Sequence, residues 1–119
     1  CHSIIIQFFV EGDYLDMFCY NRSSDLFLGL PFNIASSSLL LLVIAKITGK
    51  TARFFNLSLG DCHVYEQHKE AVLEQLTRIP YRLPTIKIKD FEKIEDLTFE
   101  HFTLENYKFH PPIKAEMIA

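Results

Sequence analysis

Residues Asn21–Asn33 read Asn-Arg-Ser-Ser-Asp-Leu-Phe-Leu-Gly-Leu-Pro-Phe-Asn and connect a strand-like run to the most apolar helix-like run of the chain. The stretch combines Arg, Ser, Asp and Asn side chains with the turn-forming residues Gly and Pro. Because Arg and hydroxyl side chains donate strong hydrogen bonds to anions, such a connection suits an anion and the polar edges of a small ligand. We therefore expect function to lie here, the alternative being an ordinary polar loop.

Size and composition limit the classes of protein to which the chain can belong. Its 119 residues suit one domain or part of one, and a hydrophobic fraction of 49% provides a core. The net charge of −3, without a basic block, makes nucleic acid a poor partner, whereas a mononucleotide needs only a few local cations. The longest apolar run, Leu39–Ala45, is too short to cross a bilayer, so no membrane partner is expected. Three Cys residues without paired spacing favour a reducing compartment, with the cytoplasm expected and the nucleus as an alternative.

The hydrophobic pattern predicts a β-hairpin before this stretch and a helix after it. Ser3–Val10 is β-branched and aromatic, Glu11–Asp13 is a turn signal, and Tyr14–Asn21 follows as a second strand. Ile34–Thr48 has helical length, is apolar on all sides and is followed by Gly49 as a stop signal. A helix of this kind is buried inside a larger body or an oligomer interface.

The second half of the chain predicts alternating shorter elements. Thr51–Leu59 is expected to be a strand that Gly60-Asp61 ends, and Asp61 would cap a helix over roughly Cys62–Arg78. Thr85–Lys89 is expected to be an edge strand and Phe102–Tyr107 another short strand. No repeat or domain boundary is visible.

Cys1, followed by His2, is a candidate nucleophile beside a base, although most Cys and His residues are structural. The predicted hairpin would bring Arg22 close to Cys1, where a positive charge favours the thiolate. The alternative for Arg22 is a surface ion pair with Asp25.

Asn33 also has two interpretations. Its carboxamide both donates and accepts, which matches a uracil-type edge, but an Asn before an apolar helix is equally a standard N-cap. Further along, His63 and Tyr65 can present two hydrogen-bonding tips to one hydroxyl. The spacing of Cys62, His63 and His68 matches no usual zinc pattern, so we expect no metal and interpret His68 as a core or interface histidine.

Taken together, several separated motifs resemble thymidylate synthase. The pair Cys1-His2, the runs Tyr20–Asp25, Leu28–Ser36 and Leu59–Tyr65, and the ending His110–Met117 occur in family order with near-family spacing. The resemblance covers essentially the whole chain, and it implies that residues 1–119 are the C-terminal portion of a single catalytic domain that begins upstream. It implies an α+β fold in which a mixed β-sheet packs against a long buried helix, as part of a two-layer architecture.

The resemblance also implies a reaction, the reductive methylation of dUMP to dTMP. Methylenetetrahydrofolate would be the one-carbon donor and reductant, and Cys1 the nucleophile that adds to the pyrimidine ring. The full-length protein would be a homodimer whose phosphate site borrows arginines from the other subunit. By similarity the dUMP-binding residues are Arg22, Ser23, Ser24, Asp25, Asn33, His63, Val64 and Tyr65, and the folate-binding residues are Asp25, Leu28, Gly29, Phe32 and Ile118.

A few positions depart from the family pattern. Asn21 stands where the family usually has Gln, and Asn106 replaces a usual Gly, which is compatible with a left-handed turn. One extra residue within Ser3–Ile6 would reverse the facing of the first strand unless a β-bulge absorbs it. Two other functions stay open at this point: a pyrimidine-nucleotide hydroxymethylase of the same fold, whose cytosine version Asn33 disfavours, and a non-catalytic nucleotide-binding module.

Overall fold

A computed structural model of the chain describes residues 3–118, with side chains from residue 5 onward. Its main feature is a three-stranded mixed sheet of β1 (Ser3–Glu11), β2 (Tyr14–Asp25) and β3 (Thr51–His63), in the order β1-β2-β3. The hairpin partners β1 and β2 are antiparallel, whereas β2 and β3 are parallel. Parallel neighbours need a crossover, which the helix α1 (Leu30–Ile47) supplies. The carboxyl ends of β2 and β3 therefore lie at the same edge of the sheet.

The strand β3 is longer than its sequence predicts. It continues through Gly60-Asp61 to His63, so the expected break at Gly60 and the expected helix from Cys62 were wrong. The strand continues because β2 pairs with it to the end, and this parallel ladder outweighs the local turn preference of Gly-Asp. After β3, a 3₁₀ turn (Glu66–His68) leads into the short helix α2 (Lys69–Leu76).

A β-bulge interrupts the pairing of β1 with β2. Ser3 lies opposite Asn21 but Ile5 lies opposite Tyr20, so β1 holds one residue more than its partner at this point. The structure thus contains the bulge that would absorb the extra residue expected between His2 and Gln7. Because the bulge is local, the rest of β1 follows a regular antiparallel register with β2.

The helix α1 starts four residues earlier than the sequence pattern predicts. Its first residue is Leu30, with Gly29 at the N-cap position and Pro31 in the first turn, where the fixed φ of proline is favourable. Asn33 therefore lies inside the helix, and its interpretation as the N-cap was wrong. Its backbone N–H donates to the Gly29 carbonyl at 3.1 Å as an ordinary helical hydrogen bond.

The core lies between α1 and β2. Leu15 and Met17 of β2 pack against Leu41 and Ala45 of the helix. Of the 18 residues of α1, only Leu41, Val43 and Ala45 are buried, so residues 5–118 do not confirm the expected long buried helix, and its burial in a larger body or an oligomer interface stays a prediction. The reason for the limited burial is geometric, because one sheet can cover only one side of a helix. By length and composition alone α1 could also cross a membrane, a property that core helices of soluble proteins share.

The last part of the chain forms a second, smaller sheet. The strands β4 (Thr85–Ile88) and β5 (Phe102–Glu105) pair antiparallel, which confirms two of the predicted strands with slightly shorter ends. Asn106 follows β5 with a φ of 58°, so the Asn that replaces a usual Gly does adopt the left-handed conformation. From there the chain continues without regular secondary structure to residue 118.

Candidate functional site

The ends of β2 and β3 bring two distant sequence motifs together. In the parallel register Ser23 lies opposite Asp61, and Asp25 lies opposite His63. The backbone N–H of Leu26 extends this ladder by donating to the His63 carbonyl at 2.9 Å. The predicted substrate residues 22–25 and 63–65 are therefore neighbours in space, although some forty residues of sequence separate them.

Buried polar groups without partners mark this edge of the sheet. Ser24 is only 1% exposed, and its Oγ has no hydrogen-bond partner within the described part of the chain. The side chain of His63 is half-buried, but its Nδ1 atom is buried and also has no hydrogen-bond partner within the described part of the chain, since its contact with Asp61 Oδ1 at 3.5 Å is not a hydrogen bond. Leaving such a group buried and unsatisfied costs about 1–3 kcal/mol, so each atom indicates a place that a polar ligand or water completes. The two places lie on opposite faces of the sheet, since His63 is opposite Asp25, the neighbour of Ser24.

The alternative interpretation of Arg22, an ion pair with Asp25, is not borne out among the described residues. The two side chains are three positions apart on a strand, which places them on opposite faces of the sheet. Instead, Asp25 Oδ1 accepts a hydrogen bond from the Phe27 N–H at 3.0 Å and so shapes the turn after β2. The exposed guanidinium of Arg22 does not pair with Asp25, so it can donate hydrogen bonds to another anion, such as a phosphate.

Close packing of the turn explains the glycine at its end. The Gly29 N–H donates to the Asp25 carbonyl at 3.2 Å. A Cβ on Gly29 would lie 3.2 Å from that same oxygen, which is tighter than most Cβ contacts, and at an ordinary contact distance of 3.5 Å from Asp25 Cβ. The carboxylate and carbonyl of Asp25 thus hold the segment that presents Leu28 and Gly29.

Aromatic contacts extend the site beyond β3. The rings of His63 and Tyr65 meet edge to face with centroids 5.1 Å apart, and Tyr65 in turn contacts His68 at 5.7 Å. Phe27, from the turn after β2, lies 5.5 Å from the His68 ring. His68 is 1% exposed, which confirms its interpretation as a core histidine. Val64, between the two predicted sugar ligands, is 42% exposed.

Two grooves border this site. Leu28 and Phe27 line an open groove of about 450 Å³ together with α2 and the C-terminal residues Pro111–Ile113. Phe32 and Asn33 line a separate, more apolar groove of about 530 Å³ between α1 and the small sheet. Arg22–Asp25 and His63–Tyr65 line neither of these two grooves, so neither groove joins Asn33 to them.

Two of the predicted site residues, Cys1 and Ile118, lie near opposite ends of the sequence. Cys1 and its neighbour His2 lie outside the described residues, and so the role of Cys1 stays a prediction. Ile118 is the last described residue and is half-buried. Within residues 5–118 no group of three His, Cys, Asp or Glu side chains is arranged to hold a metal ion.

Sequence reasoning missed two features of the site. Gly60 was interpreted as a strand break, yet a Cβ there would lie 2.6 Å from the Arg22 carbonyl oxygen and 2.6 Å from Tyr20 Oη. His68 was not connected with the C-terminus, although its Nε2 lies 2.7 Å from the Glu116 carbonyl oxygen. The residues around Gly60 and around His68 carry no signal for these contacts, since each contact joins segments that are far apart in the sequence.

The chain belongs to the thymidylate synthase family, because the family model for thymidylate synthase matches residues 1–119. It is also similar to the thymidylate synthase of Mycoplasma pneumoniae, with 44% identity over 117 residues. That alignment covers 98% of this chain and 40% of the relative. The chain therefore spans about two fifths of the length of the curated relative.

Proposed function

We propose that the full-length protein converts dUMP to dTMP by reductive methylation, with methylenetetrahydrofolate as one-carbon donor and reductant. One observation carries this proposal. In a chain of this family, the parallel register of β2 and β3 sets Arg22–Asp25 beside His63, and the chain continues directly from there to Tyr65. Ser23, a hydroxyl donor for a phosphate, thus lies on the same face of the strand ends as the sugar-type partner His63, and Arg22 directly precedes Ser23 in β2.

The nucleotide would bind across the two strand ends. Arg22 and Ser23 would donate charge-assisted hydrogen bonds to the phosphate, for which the exposed guanidinium of Arg22 is suited. His63 and Tyr65 would hold the sugar hydroxyl, and Asn33 would pair with the uracil edge. The orphaned Ser24 Oγ would gain the partner that it lacks.

Cys1 would supply nucleophilic catalysis. Its thiolate would add to the ring carbon next to the glycosidic nitrogen and so divide one difficult substitution into easier steps. The described part of β1 begins at Ser3 opposite Asn21, the residue before Arg22, which supports assigning Cys1 to this edge of the sheet. A nearby Arg22 would favour the thiolate form.

The folate would bind next to the nucleotide. The groove beside Leu28 is lined by Phe27 and by Pro80, Pro111 and Pro112, an apolar surface that suits the flat rings of a folate. Of the proposed folate-binding residues Asp25, Leu28, Gly29, Phe32 and Ile118, Leu28 lines this groove and Phe32 lines the second groove. When bound, it supplies the one-carbon unit and the reducing equivalents.

Assembly and location complete the proposal. Ile5, Phe9 and Val10 of β1 are each more than half exposed, a concentration of apolar surface that favours a homodimer of the full-length protein. Residues 1–119 would be the C-terminal portion of a single domain, and the protein would act in the cytoplasm.

Product formation tests this function. The full-length protein is incubated with dUMP and methylenetetrahydrofolate, and dTMP is measured. The wild type and Cys62→Ser, which replaces an exposed thiol, should form dTMP, whereas Cys1→Ser should form none. A fluorinated dUMP analogue should form a covalent adduct on Cys1.

Three outcomes would contradict the proposal. A hydroxymethylated product in place of dTMP would identify the hydroxymethylase. Nucleotide binding without any adduct or product would identify a binding module. Turnover by Cys1→Ser would remove Cys1 from the reaction. Residues 1–119 alone are expected to show no turnover, because they span only about two fifths of the length of the curated relative.

A further inference from the structure

His68 connects three segments of the chain at one buried point. Its ring contacts Phe27 from the turn after β2 and Tyr65 from the end of β3. Its Nε2 lies 2.7 Å from the carbonyl oxygen of Glu116, near the C-terminus. Since a carbonyl only accepts hydrogen bonds, Nε2 carries the hydrogen and donates it.

The C-terminal segment is held at two further points upstream. Arg78 donates through Nη1 to the Pro111 carbonyl at 2.6 Å. His110 binds the Ile79 carbonyl through Nε2 at 2.9 Å and stacks on Tyr81 with ring centroids 4.5 Å apart. We call residues 110–116 the C-terminal strap. It is fixed to the end of α2 at one end and to His68 at the other.

The strap forms one wall of the groove beside Leu28. Pro111, Pro112 and Ile113 line this groove together with Phe27 and Leu28. Because His68 contacts Phe27 with its ring and the strap with its Nε2, it links both walls. Beyond the strap Met117 is 87% exposed, so the Glu116–His68 hydrogen bond is the last polar anchor that the described residues provide before the chain end.

We propose that His68 is a positioning residue that holds the C-terminal strap against the Phe27–Gly29 turn and thereby sets the affinity for the folate. The inference rests on the proposed function for the identity of the ligand, but not for the hydrogen bond itself. A hydrogen bond of this kind is worth about 0.5–1.5 kcal/mol, or roughly two- to twelvefold in an equilibrium constant. Losing it should therefore loosen the strap without emptying the nucleotide site.

The first experiment needs no substrate. Full-length wild type, His68→Phe and the control His101→Phe are digested with a nonspecific carboxypeptidase, and the products are measured by mass spectrometry. Phe keeps the aromatic packing on Phe27 and Tyr65 but cannot donate to Glu116. His101 lies elsewhere, in a 3₁₀ turn where its Nδ1 accepts a hydrogen bond from the Thr98 N–H, so His101→Phe makes the same chemical change away from the strap. Release of residues from Glu116 inward should be about two- to tenfold faster in His68→Phe only. Equal digestion of all three proteins would overturn the proposal.

The second experiment separates the two ligands. In His68→Phe the KM for methylenetetrahydrofolate should rise about two- to tenfold, while the dissociation constant of dUMP stays within about twofold. His68→Gln, which restores an N–H donor, should recover part of the folate KM. If His68 had only a structural role, His68→Phe would raise the folate KM and the dUMP dissociation constant together, or His68→Gln would not recover the folate KM. Either result would overturn the proposal.

A truncated protein that ends at Ala115 lacks the Glu116 acceptor and leaves His68 untouched, but it also loses Ile118, a proposed folate contact. Its folate dissociation constant, which needs no turnover, is therefore compared with that of the same truncated protein carrying His68→Phe, and the added substitution should change it little further. Fully additive effects would contradict the inference even if His68→Phe alone folds poorly. A wild type that forms no dTMP would instead contradict the proposed function, and the digestion experiment would still decide whether His68 holds the strap.

Discussion

Asp25 and His63 are direct neighbours across two parallel strands, at the point where both strands end. Each belongs to a different sequence motif, and neither motif identifies a site by itself. The parallel register is what joins them, and it depends on the crossover through α1. The first prediction concerns the residue that allows the two strands to approach here.

Gly60→Ala should destabilise the full-length protein by about 1–3 kcal/mol. The added Cβ would lie 2.6 Å from the Arg22 carbonyl oxygen and 2.6 Å from Tyr20 Oη, so β2 and β3 would have to separate. Urea unfolding measures the loss. Ser58→Ala, at an exposed position of the same strand, is the control and should change stability by less than about 0.5 kcal/mol. Equal stability of the two variants would show that the close approach is not needed.

How far the sequence predicts this site depends on the range of the interactions. Local periodicity is sufficient for β1, β4 and the presence of α1, because each has a clear pattern of its own. The continuation of β3 past Gly60 was not predictable, since its pairing with β2 overrides a turn signal. Pro31 does carry a usable signal for an early helix start, and it shows that Asn33 need not be a cap. The bond from His68 to Glu116 spans 48 residues and leaves no trace in either local pattern.

The second prediction concerns the other end of the sheet, where Arg53 and Asp16 form a bidentate ion pair. Arg53 donates to both Asp16 oxygens, at 3.0 and 2.7 Å, and the Phe54 N–H donates to Oδ1 at 3.0 Å. The hydrogen bond from Arg53 lowers the pKa of Asp16 below its ordinary value, partly offset by desolvation and helped by the Phe54 N–H. A lowered folded-state pKa stabilises the protein fully above about pH 4, and this contribution is lost as the pH falls through the folded pKa.

Asp16→Asn should therefore be less stable than wild type at pH 7, and the difference should shrink as the pH drops below about 4. Denaturant midpoints at a series of pH values measure this. Asp13→Asn is the matched control, because that exposed carboxylate lies 3.9 Å from Lys50 and should show little effect. A wild-type advantage over Asp16→Asn that stays constant down to pH 3 would contradict the prediction.

The third prediction tests the proposed phosphate contact of Arg22. Arg22→Ala should weaken dUMP binding about 10- to 100-fold, because hydrogen bonds to a charged group are worth about 1.5–3 kcal/mol. Stability should change little, since the side chain is exposed and pairs with no carboxylate among the described residues. Arg82→Ala, at another exposed position, should bind dUMP like wild type. Titration calorimetry measures both, and equal affinities for the two variants would remove Arg22 from the phosphate site.

The last prediction tests the proposed sugar contact of Tyr65. Tyr65→Phe keeps the ring that meets His63 and His68 and removes only the hydroxyl group. We expect dUMP to bind about 2- to 12-fold more weakly, the cost of one neutral hydrogen bond. The analogue that lacks the 3′-hydroxyl should bind wild type and variant equally well, because neither protein can then use the contact. Tyr81→Phe is the control, since that ring stacks on His110 in the C-terminal strap. If Tyr65→Phe lost the same affinity for both nucleotides, the hydroxyl would act through packing and not through the sugar.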